Sequence, residues 1–486
     1  MNLELFLPEL ILAGTAIMVI LLDLFFRRKV LLTLVSLAGL AAAFGFTITM
    51  WGGSPQAIFN NMLAVDNFAL FFKLLLLVIA ALVILASVDY VSRFSRFHGE
   101  YHALLLLCTL GMTLMASAVD LISIFVALEL TAIPLYVLVG FLKDQKSTEA
   151  SLKYVLLGGI ASAVLLYGMA LTFGFSGETQ LSEIARVVQG ISPGSLMASP
   201  GLILGIVLMV AGFGFKIAAV PFQMWAPDVY EGAPTPITLY LSVGSKAAGF
   251  AVILRVFYSA FGLPQSLSLD WGMVFAVLSA VGMTLGNVIA IAQSNIKRML
   301  AYSSIAHSGY IMIGLATVGL FQGQGTLGQS NLLFYVVAFA LADLAAFTAV
   351  IAISSKLQSD LIKDYTGMGK RSPVLASALT LSLISLIGLP PTAGFIAKFY
   401  IFTGAVNSDL LWLVIIAVVN SVISAYYYLR VVKVMWLGEP VSGEGVPSSF
   451  ALRLALAISC LGVLFIGIAP AFMMKLAQMA ASMLGF

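Results

Sequence analysis

Runs of about twenty apolar residues follow one another along the whole of this 486-residue chain. A hydrocarbon slab roughly 30 Å thick selects helices of that length, because backbone N–H and C=O groups find partners there only within a helix or a closed barrel. About fourteen spans can be drawn, at roughly 4 to 25, 30 to 50, 67 to 88, 102 to 119, 121 to 141, 153 to 175, 202 to 223, 236 to 260, 272 to 293, 299 to 321, 331 to 353, 374 to 406, 410 to 434 and 452 to 474. Composition agrees: 61% of residues are hydrophobic, 9% are charged and the mean hydropathy is +1.08, more apolar surface than a water-soluble core can use. The expected fold is an all-α polytopic membrane protein. The first run carries Glu4 and Glu9 rather than a basic start and is too long for a signal-peptide core, so it reads as a retained span.

Lysine and arginine stay on the cytoplasmic side of such spans. The odd-numbered connections hold Arg27, Arg28, Lys29, Arg93, Arg96, Lys143, Lys146, Lys153, Lys297, Arg298, Lys356, Lys363, Lys370, Arg371, Arg430, Lys433 and Arg453. The even-numbered ones hold little beyond Arg186 and Arg255. Both termini are therefore expected on the outer side, and the alternation supports the span count, since one helix missed or invented would put every later connection out of phase. The exception is the seventh connection, APDVYEGAPTP, with two acids and no base. The net charge of +3 is thus a topology signal and says nothing of nucleic acid. Cys108 and Cys460 with His98, His102 and His307 cannot ligate an iron–sulfur cluster and suit a membrane haem poorly. The connections are too short for a nucleotide-binding domain, and no phosphate-binding glycine loop occurs. The chain is expected to carry no cofactor and no metal and to bind no nucleic acid.

What remains is charge inside the slab, where each ionised side chain costs about 2.5 to 3.5 kcal/mol or more and usually marks function. Four stand out by depth: Glu129 in IFVALELTAIPL, Lys216 in AGFGFKIAAVPF, Lys246 in LSVGSKAAGF and Lys398 in AGFIAKFYIF. At 1.5 Å per residue Glu129 lies nine residues, about 13 Å, beyond Asp120 at the outer edge, and Lys246 lies at similar depth. A static salt bridge is the plain alternative at each site. Three deep lysines against one deep glutamate would leave two lysines unmatched, which favours proton exchange. A buried lysine gains and loses its proton near neutrality, and an approaching carboxylate restores its affinity. Lys73 in FALFFKLLLL sits close to the outer end of its helix and can snorkel to the interface. Asp343 in AFALADLAAF is deep, and fits a pin between two helices as well as a functional acid. His307 in SSIAHSGY, near the cytoplasmic start of its helix, fits a structural hydrogen bond and a proton relay equally.

Prolines interrupt two of the spans. Pro221 follows Lys216 in the seventh, and Pro390 with Pro391 divides the twelfth, which is too long for one straight crossing. Broken helices at membrane depth are tolerated only where they face protein or water. GFGFK ending at Lys216 and GFIAK ending at Lys398 both read Gly-Phe-x-x-Lys, 398 − 216 = 182 residues apart. YVLLGGIAS from Tyr154 and YVVAFALAD from Tyr335 are 335 − 154 = 181 apart. The agreeing offsets indicate an internal repeat of five spans, an odd number, so the copies enter from opposite sides. The expectation is two inverted five-helix repeats with broken helices 7 and 12 and a symmetry-related pair of lysines, a plan common to ion and solute transporters. Helices 1–3 would occupy 1–100, the first repeat 101–262, the second 263–435 and helix 14 the remainder, 436–486.

FVALELTAIPLYVLVGF, GFKIAAVPFQMWAPDVYEGAPTPI, SKAAGFAVILR, NIKRMLAYSSIAHSGY and GLPPTAGFIAKFY closely resemble the subunit N family of proton-pumping NADH:quinone oxidoreductase, respiratory complex I, from about the third span through the thirteenth. PDVYEGAP and the lysine of the twelfth span favour that family over subunit M, which usually has glutamate there. The chain shows no lateral helix of the subunit L kind. The resemblance implies a fourteen-helix core of two inverted repeats in a membrane arm, without cofactors of its own, beside other antiporter-like and small membrane subunits. Flavin, iron–sulfur clusters and quinone would belong to partner subunits. The resemblance also implies that Glu129 modulates Lys216, that Lys246 is the connecting lysine, that protons leave outward from Lys398, and that His307 lies on the path between the halves. Redox chemistry elsewhere would drive them, since each charge moved against 100 mV needs about 2.3 kcal/mol.

A subunit of a multi-subunit sodium/proton antiporter or of a membrane-bound hydrogenase shares this ancestry and is the alternative. A self-contained solute transporter would show unpaired polar groups at the broken helices, where little but lysine stands, and a pure scaffold would not keep buried charge. Length and basic loops favour a bacterial inner membrane.

Overall fold

The computed structural model describes residues 3–25, 30–91, 97–190, 199–261, 265–320, 327–440 and 444–484. Arg27, Arg28, Lys29, Arg93 and Arg96, part of the charge alternation, lie outside the described residues. Apart from a hairpin of β1 (Gln56–Ile58) and β2 (Leu63–Val65), the regular structure described is helical. The first six long helices are α1 (Leu7–Phe25), α2 (Val30–Thr49), α3 (Asn67–Val91), α4 (His98–Ser117), α5 (Leu121–Val139) and α6 (Gln145–Ser176). Then come α7 (Leu181–Gln189), α8 (Pro200–Lys216), α9 (Trp225–Gly232), α10 (Thr235–Ser259), α11 (Gln265–Ile291) and α12 (Ile296–Leu320). The last six are α13 (Leu327–Leu357), α14 (Pro373–Ile387), α15 (Ala393–Asn407), α16 (Leu411–Leu437), α17 (Phe450–Ile468) and α18 (Pro470–Ala481).

Among the described residues eleven helices are long and apolar enough to cross a membrane, and the protein is a multi-pass membrane protein. Each of the expected spans falls on one of these helices or on α8, α12 or the α14–α15 pair. The 25-residue α12 is not among the eleven, because Lys297, Arg298, Ser303, Ser304, His307 and Ser308 dilute its hydropathy. It lies inside the bundle, packed by α9, α10, α11, α13, α15 and α16, where polar side chains find partners. Gly286 of α11 and Gly309 of α12 let these two backbones meet, since a Cβ on Gly286 would stand 2.7 Å from the Ala306 nitrogen and one on Gly309 2.7 Å from the Met283 nitrogen.

Both expected breaks are present. α8 ends at Lys216, Ala218 has φ 54°, the Val220–Pro221 bond is cis and α9 starts at Trp225. α14 ends at Ile387, Gly388 has φ 91°, the Pro390–Pro391 bond is cis and α15 starts at Ala393. Lys216 therefore closes the half-helix before its break, whereas Lys398 is in the second turn of the half-helix after its own. The cis prolines are 391 − 221 = 170 residues apart, so the shared Gly-Phe-x-x-Lys places its two lysines on opposite sides of their breaks. Their positions about the breaks are not equivalent.

A different pair of features recurs in matching places. Asp120 and Gln180 form an isolated antiparallel bridge, and so do Asn295 and Leu361. Asp120 Oδ1 accepts from the N–H groups of Ile122 and Ser123 at the start of α5, and Asn295 Oδ1 from those of Lys297 and Arg298 at the start of α12. Each caps the orphan donors of a helix N-terminus. The separations are 295 − 120 = 175 and 361 − 180 = 181 residues.

Two ion pairs are buried away from the deep lysines. Arg255, placed in a connection by the charge alternation, lies inside α10, where Nη1 and Nη2 donate to Asp66 at 2.8 and 2.9 Å with both side chains fully buried. Its guanidinium stands 4.7 Å from the Phe68 ring centre. Lys73 does not snorkel: it is 2% exposed and pairs at 2.6 Å with Glu9, which α1 brings to it. Breaking a buried pair from one side strands the other charge and costs about 3 to 5 kcal/mol. Arg255→Ala is expected to remove most folded protein from membranes, as read by native gel, and Arg255→Met combined with Asp66→Asn to recover it; recovery failing would locate the cost elsewhere.

Candidate functional site

In the first half, Asp120 starts α5 and sets the phase that turns Glu129 toward α6. There Ser162 Oγ donates to Glu129 Oε1 at 2.5 Å. A cavity of about 20 Å³, bounded by Leu128, Tyr136, Tyr154, Ser162, Phe215 and Lys216, lies between Ser162 of this pair and the seventh-span lysine. Such a volume holds about one water molecule. Glu129 and Lys216 form no direct ion pair. Lys216 is buried at the carbonyl end of α8, a favourable end for a cation, and its Nζ has no hydrogen-bond partner among the described residues.

At the centre, a π turn over Leu241–Ser245 immediately precedes Lys246 within α10. Such turns are frequent at functional sites. Lys246 Nζ uses all three donors, to Ser304 O at 2.7 Å, Ser304 Oγ at 2.6 Å and Ser308 Oγ at 3.0 Å. Ser308 Oγ donates in turn to Ile217 O at 2.7 Å, the peptide next to Lys216. Ser242, on the π turn, lies 3.1 Å from Ser304 Oγ and donates to the Asp343 carboxylate. The deep lysines thus have a second buried acid near them, and Lys246 is less isolated than the sequence indicated.

His307 is not near a helix start, because α12 begins at Ile296 and carries it eleven residues, about 16 Å, inward. Its Nδ1 lies 3.1 Å from the Tyr335 hydroxyl and its Nε2 3.5 Å from that of Tyr428, which also bonds Ser303. Lys398 Nζ donates to Ile387 O at 2.8 Å, Leu386 O at 3.3 Å and Ser421 Oγ at 3.0 Å, and lies 4.5 Å from the Tyr310 ring centre. Tyr310 reaches the same Ser421 hydroxyl at 3.2 Å, and its ring centre is 5.6 Å from that of His307. The structure thus ties Lys246 through Ser308 to the peptide next to Lys216 and sets Tyr310 between Lys398 and His307, while Lys216 Nζ itself bonds to none of them. Reasoning on charge alone missed the hydroxyls, although YSSIAHSGY, five hydroxyl groups and a histidine in nine residues, carried the signal.

Beside the break after α8, the two acids of APDVYEGAPTP find their bases on other elements. Asp228 accepts from Lys153 at 2.8 Å and Arg298 at 2.6 Å, and Glu231 from Arg298 at 3.0 Å. This accounts for the exception in the charge alternation. Partial burial alone would raise the Asp228 pKa, but the bonds to Lys153 and Arg298 outweigh it and hold the carboxyl below the ordinary aspartate range. The cluster lines an open cavity of about 240 Å³ with Lys146, Glu149 and Gly232. Among the described residues no group of three or more His, Cys, Asp or Glu side chains could hold a metal ion.

Residues 118–424 match the family described as NADH:quinone oxidoreductase/Mrp antiporter, transmembrane. The NADH-quinone oxidoreductase subunit N of Dehalococcoides mccartyi is 54% identical over 483 residues, 99% of either chain. The chain belongs to this family. Among solved structures, a chain of respiratory complex I from Thermus thermophilus with bound aureothin superposes with a TM-score of 0.80 at 32% identity, over 97% of this chain and 99% of that one. A chain of the membrane-bound sulfane sulfur reductase, an archaeal respiratory membrane complex, superposes at 0.87 with 28% identity, over 99% and 97%. The antiporter-like membrane fold is therefore shared across this family.

The Asp228 cluster ties α6, α9 and α12 together. A lowered carboxyl pKa gives stability that is complete above the ordinary value of about 4 and is lost as pH falls through the lowered one. Asp228→Asn is expected to reduce stability at pH 7 by under about 1 kcal/mol, given the partly exposed ion pairs. Thermal unfolding of the solubilised complex should show the parent and variant converging as the pH is lowered; a gap that persists would rule out ionisation as its source.

Proposed function

We propose that this chain is the antiporter-like membrane-arm subunit of a bacterial proton-pumping NADH:quinone oxidoreductase, and that it moves protons along the row of buried lysines. The observation that carries this reading is Lys216: a fully buried ammonium with no hydrogen-bond partner is a poor structural pin and a good exchange site, and a water-sized cavity lies between it and Ser162, which donates to the Glu129 carboxylate. Glu129 then modulates Lys216, Lys246 connects the halves, His307 and Tyr310 bridge onward, and Lys398 is the last group before the outer side. The breaks at Pro221 and at Pro390 and Pro391 keep backbone carbonyls free beside the row. The chain supplies no cofactor; flavin, iron–sulfur clusters and quinone act in partner subunits, whose redox chemistry drives the protons. The recurring caps and bridges support two inverted five-helix repeats, and the helix sequence supports fourteen crossings. The likeness to a sulfane sulfur reductase complex favours one second reading, the same proton machinery coupled to another electron acceptor.

Lys216→Ala in the native operon, with assembly checked by native gel, is expected to cut donor-driven proton translocation by about tenfold or more, the low end of what a proton-transfer group contributes. Quinone reduction should fall with it. Unchanged pumping in an intact complex would return Lys216 to a structural role. The alternation of basic residues supports an orientation with the Asp228 cluster inside and both termini outside, in the inner membrane. A membrane-impermeant maleimide applied to intact spheroplasts should label a Glu4→Cys variant, and label a Lys146→Cys variant only after permeabilisation; the reverse pattern would invert the topology.

A further inference from the structure

The recurring caps and bridges allow the two halves to be laid on each other residue by residue. The separation of 181 that relates Gln180 to Leu361 also relates Tyr154 to Tyr335, and it sets Ser162 opposite Asp343, since 343 − 162 = 181. The separation of 175 that relates Asp120 to Asn295 sets Glu129 opposite Ser304, since 304 − 129 = 175. The first half therefore carries its acid on α5 and its hydroxyl on α6, and the second half carries its hydroxyl on α12 and its acid on α13. The pair is kept and its members are exchanged.

The contacts agree. Glu129 accepts directly from Ser162, whereas Asp343 accepts from Ser242, which lies 3.1 Å from Ser304 Oγ, itself 2.6 Å from Lys246 Nζ. Asp343 is fully buried, and its Oδ1 has no partner among the described residues. The donor directions are consistent along the line: Lys246 donates to Ser304, Ser304 to Ser242, and Ser242 to Asp343. A helix pin would need only one hydroxyl. The π turn that sets Ser242 beside Ser304 supplies the second, and with it an unbroken line from ammonium to carboxylate.

We propose that Asp343 is the proton-exchanging carboxylate of the second half, serving Lys246 as Glu129 serves Lys216. The inference rests on the proton-carrying reading above. In one transfer the Lys246 ammonium gives a proton to Ser304 Oγ, the hydroxyl proton of Ser304 passes to Ser242 Oγ, and that of Ser242 passes to Asp343 Oδ2. An ammonium and a carboxylate become an amine and a carboxylic acid, each serine keeps one proton, and no other donor is consumed. The reverse transfer restores the charged pair.

The test uses the intact complex in native membranes, comparing Asp343→Asn, Asp343→Glu, Ser242→Ala and Lys216→Ala for assembly, quinone reduction and proton translocation. Asparagine still accepts from Ser242, so a helix pin would survive it. Loss of proton translocation by about tenfold or more in assembled Asp343→Asn is expected from removal of a proton-transfer group, with Asp343→Glu retaining most of the activity. Ser242→Ala, which keeps both end groups and removes the link, should show the same loss and decides the matter if Asp343→Asn fails to assemble. Infrared difference spectra of the parent during turnover should contain a carboxylic-acid C=O band that Asp343→Asn lacks. Normal pumping by either variant while Lys216→Ala has lost it, or absence of the band, would reduce Asp343 to a structural partner. Normal pumping by Lys216→Ala as well would instead remove the proton-carrying reading on which the inference stands.

Discussion

An ammonium group in a dry helical bundle must be held by something other than water, and the interior of this protein is arranged around three ways of doing so. Lys246 spends all three donors on Ser304 and Ser308. Lys398 is held by the last carbonyls of α14, by Ser421 and by the face of Tyr310. Those carbonyls are available because a helix end leaves its final C=O groups without intrahelical partners. Break and lysine are thus one device in the twelfth span. Lys216 has the carbonyl end of α8 beside it but no hydrogen bond, so its charge is the least compensated of the three.

The same constraint sorts the helices into two rings. α10 is buried along its whole apolar stretch and α13 over 94% of it, whereas α2 and α6 are 28% buried. Polar groups therefore concentrate on α10, α12 and α13, which meet protein on all sides, and lipid is left to the outer helices. α12 could not stand at the periphery. Its run of serines, tyrosines and one histidine would face hydrocarbon unsatisfied, and each such group costs about 2 kcal/mol or more. Close backbone approach to α11 through Gly286 and Gly309 keeps it at the centre.

Periodic apolar length made the spans legible, and the cost of burial made Glu129, Lys216, Lys246 and Lys398 legible as functional candidates. Pro221 and the pair Pro390 and Pro391 announced the breaks. What could not be read was who faces whom. Arg255 looked like a loop base because Asp66, its partner, is 189 residues away in sequence, and Lys73 looked free because Glu9 belongs to another helix. His307 was placed too shallow because α12 starts at Ile296, with Asn295 as its cap rather than any apolar boundary. The two Gly-Phe-x-x-Lys segments matched in letters but not in place, since a sequence match says nothing of the side of a helix break on which a residue lies. Capping geometry proved the better ruler: Asp120 and Asn295 are different residues performing the same bond.

Charge counting across the row now constrains how it can work. Three buried lysines face two buried or half-buried acids, Glu129 and Asp343, so a fully ionised row would hold one uncompensated positive charge. At separations of several ångströms, with an effective dielectric near 20, like charges repel by a few kcal/mol. That repulsion disfavours the state with all three lysines charged unless an acid or a hydrogen-bonded hydroxyl offsets it. Gaining a proton at one lysine therefore raises the cost of keeping one at the next. On the proposed proton-carrying reading, this cost would pass a change at the Glu129 end along the lysines toward Lys398. The exchange of acid and hydroxyl between α5–α6 and α12–α13 fits the same arithmetic. On that proposal it keeps one carboxylate for each half while moving the second from direct contact with its hydroxyl to the far end of a two-serine line, and so would let the two halves respond differently to the same charge.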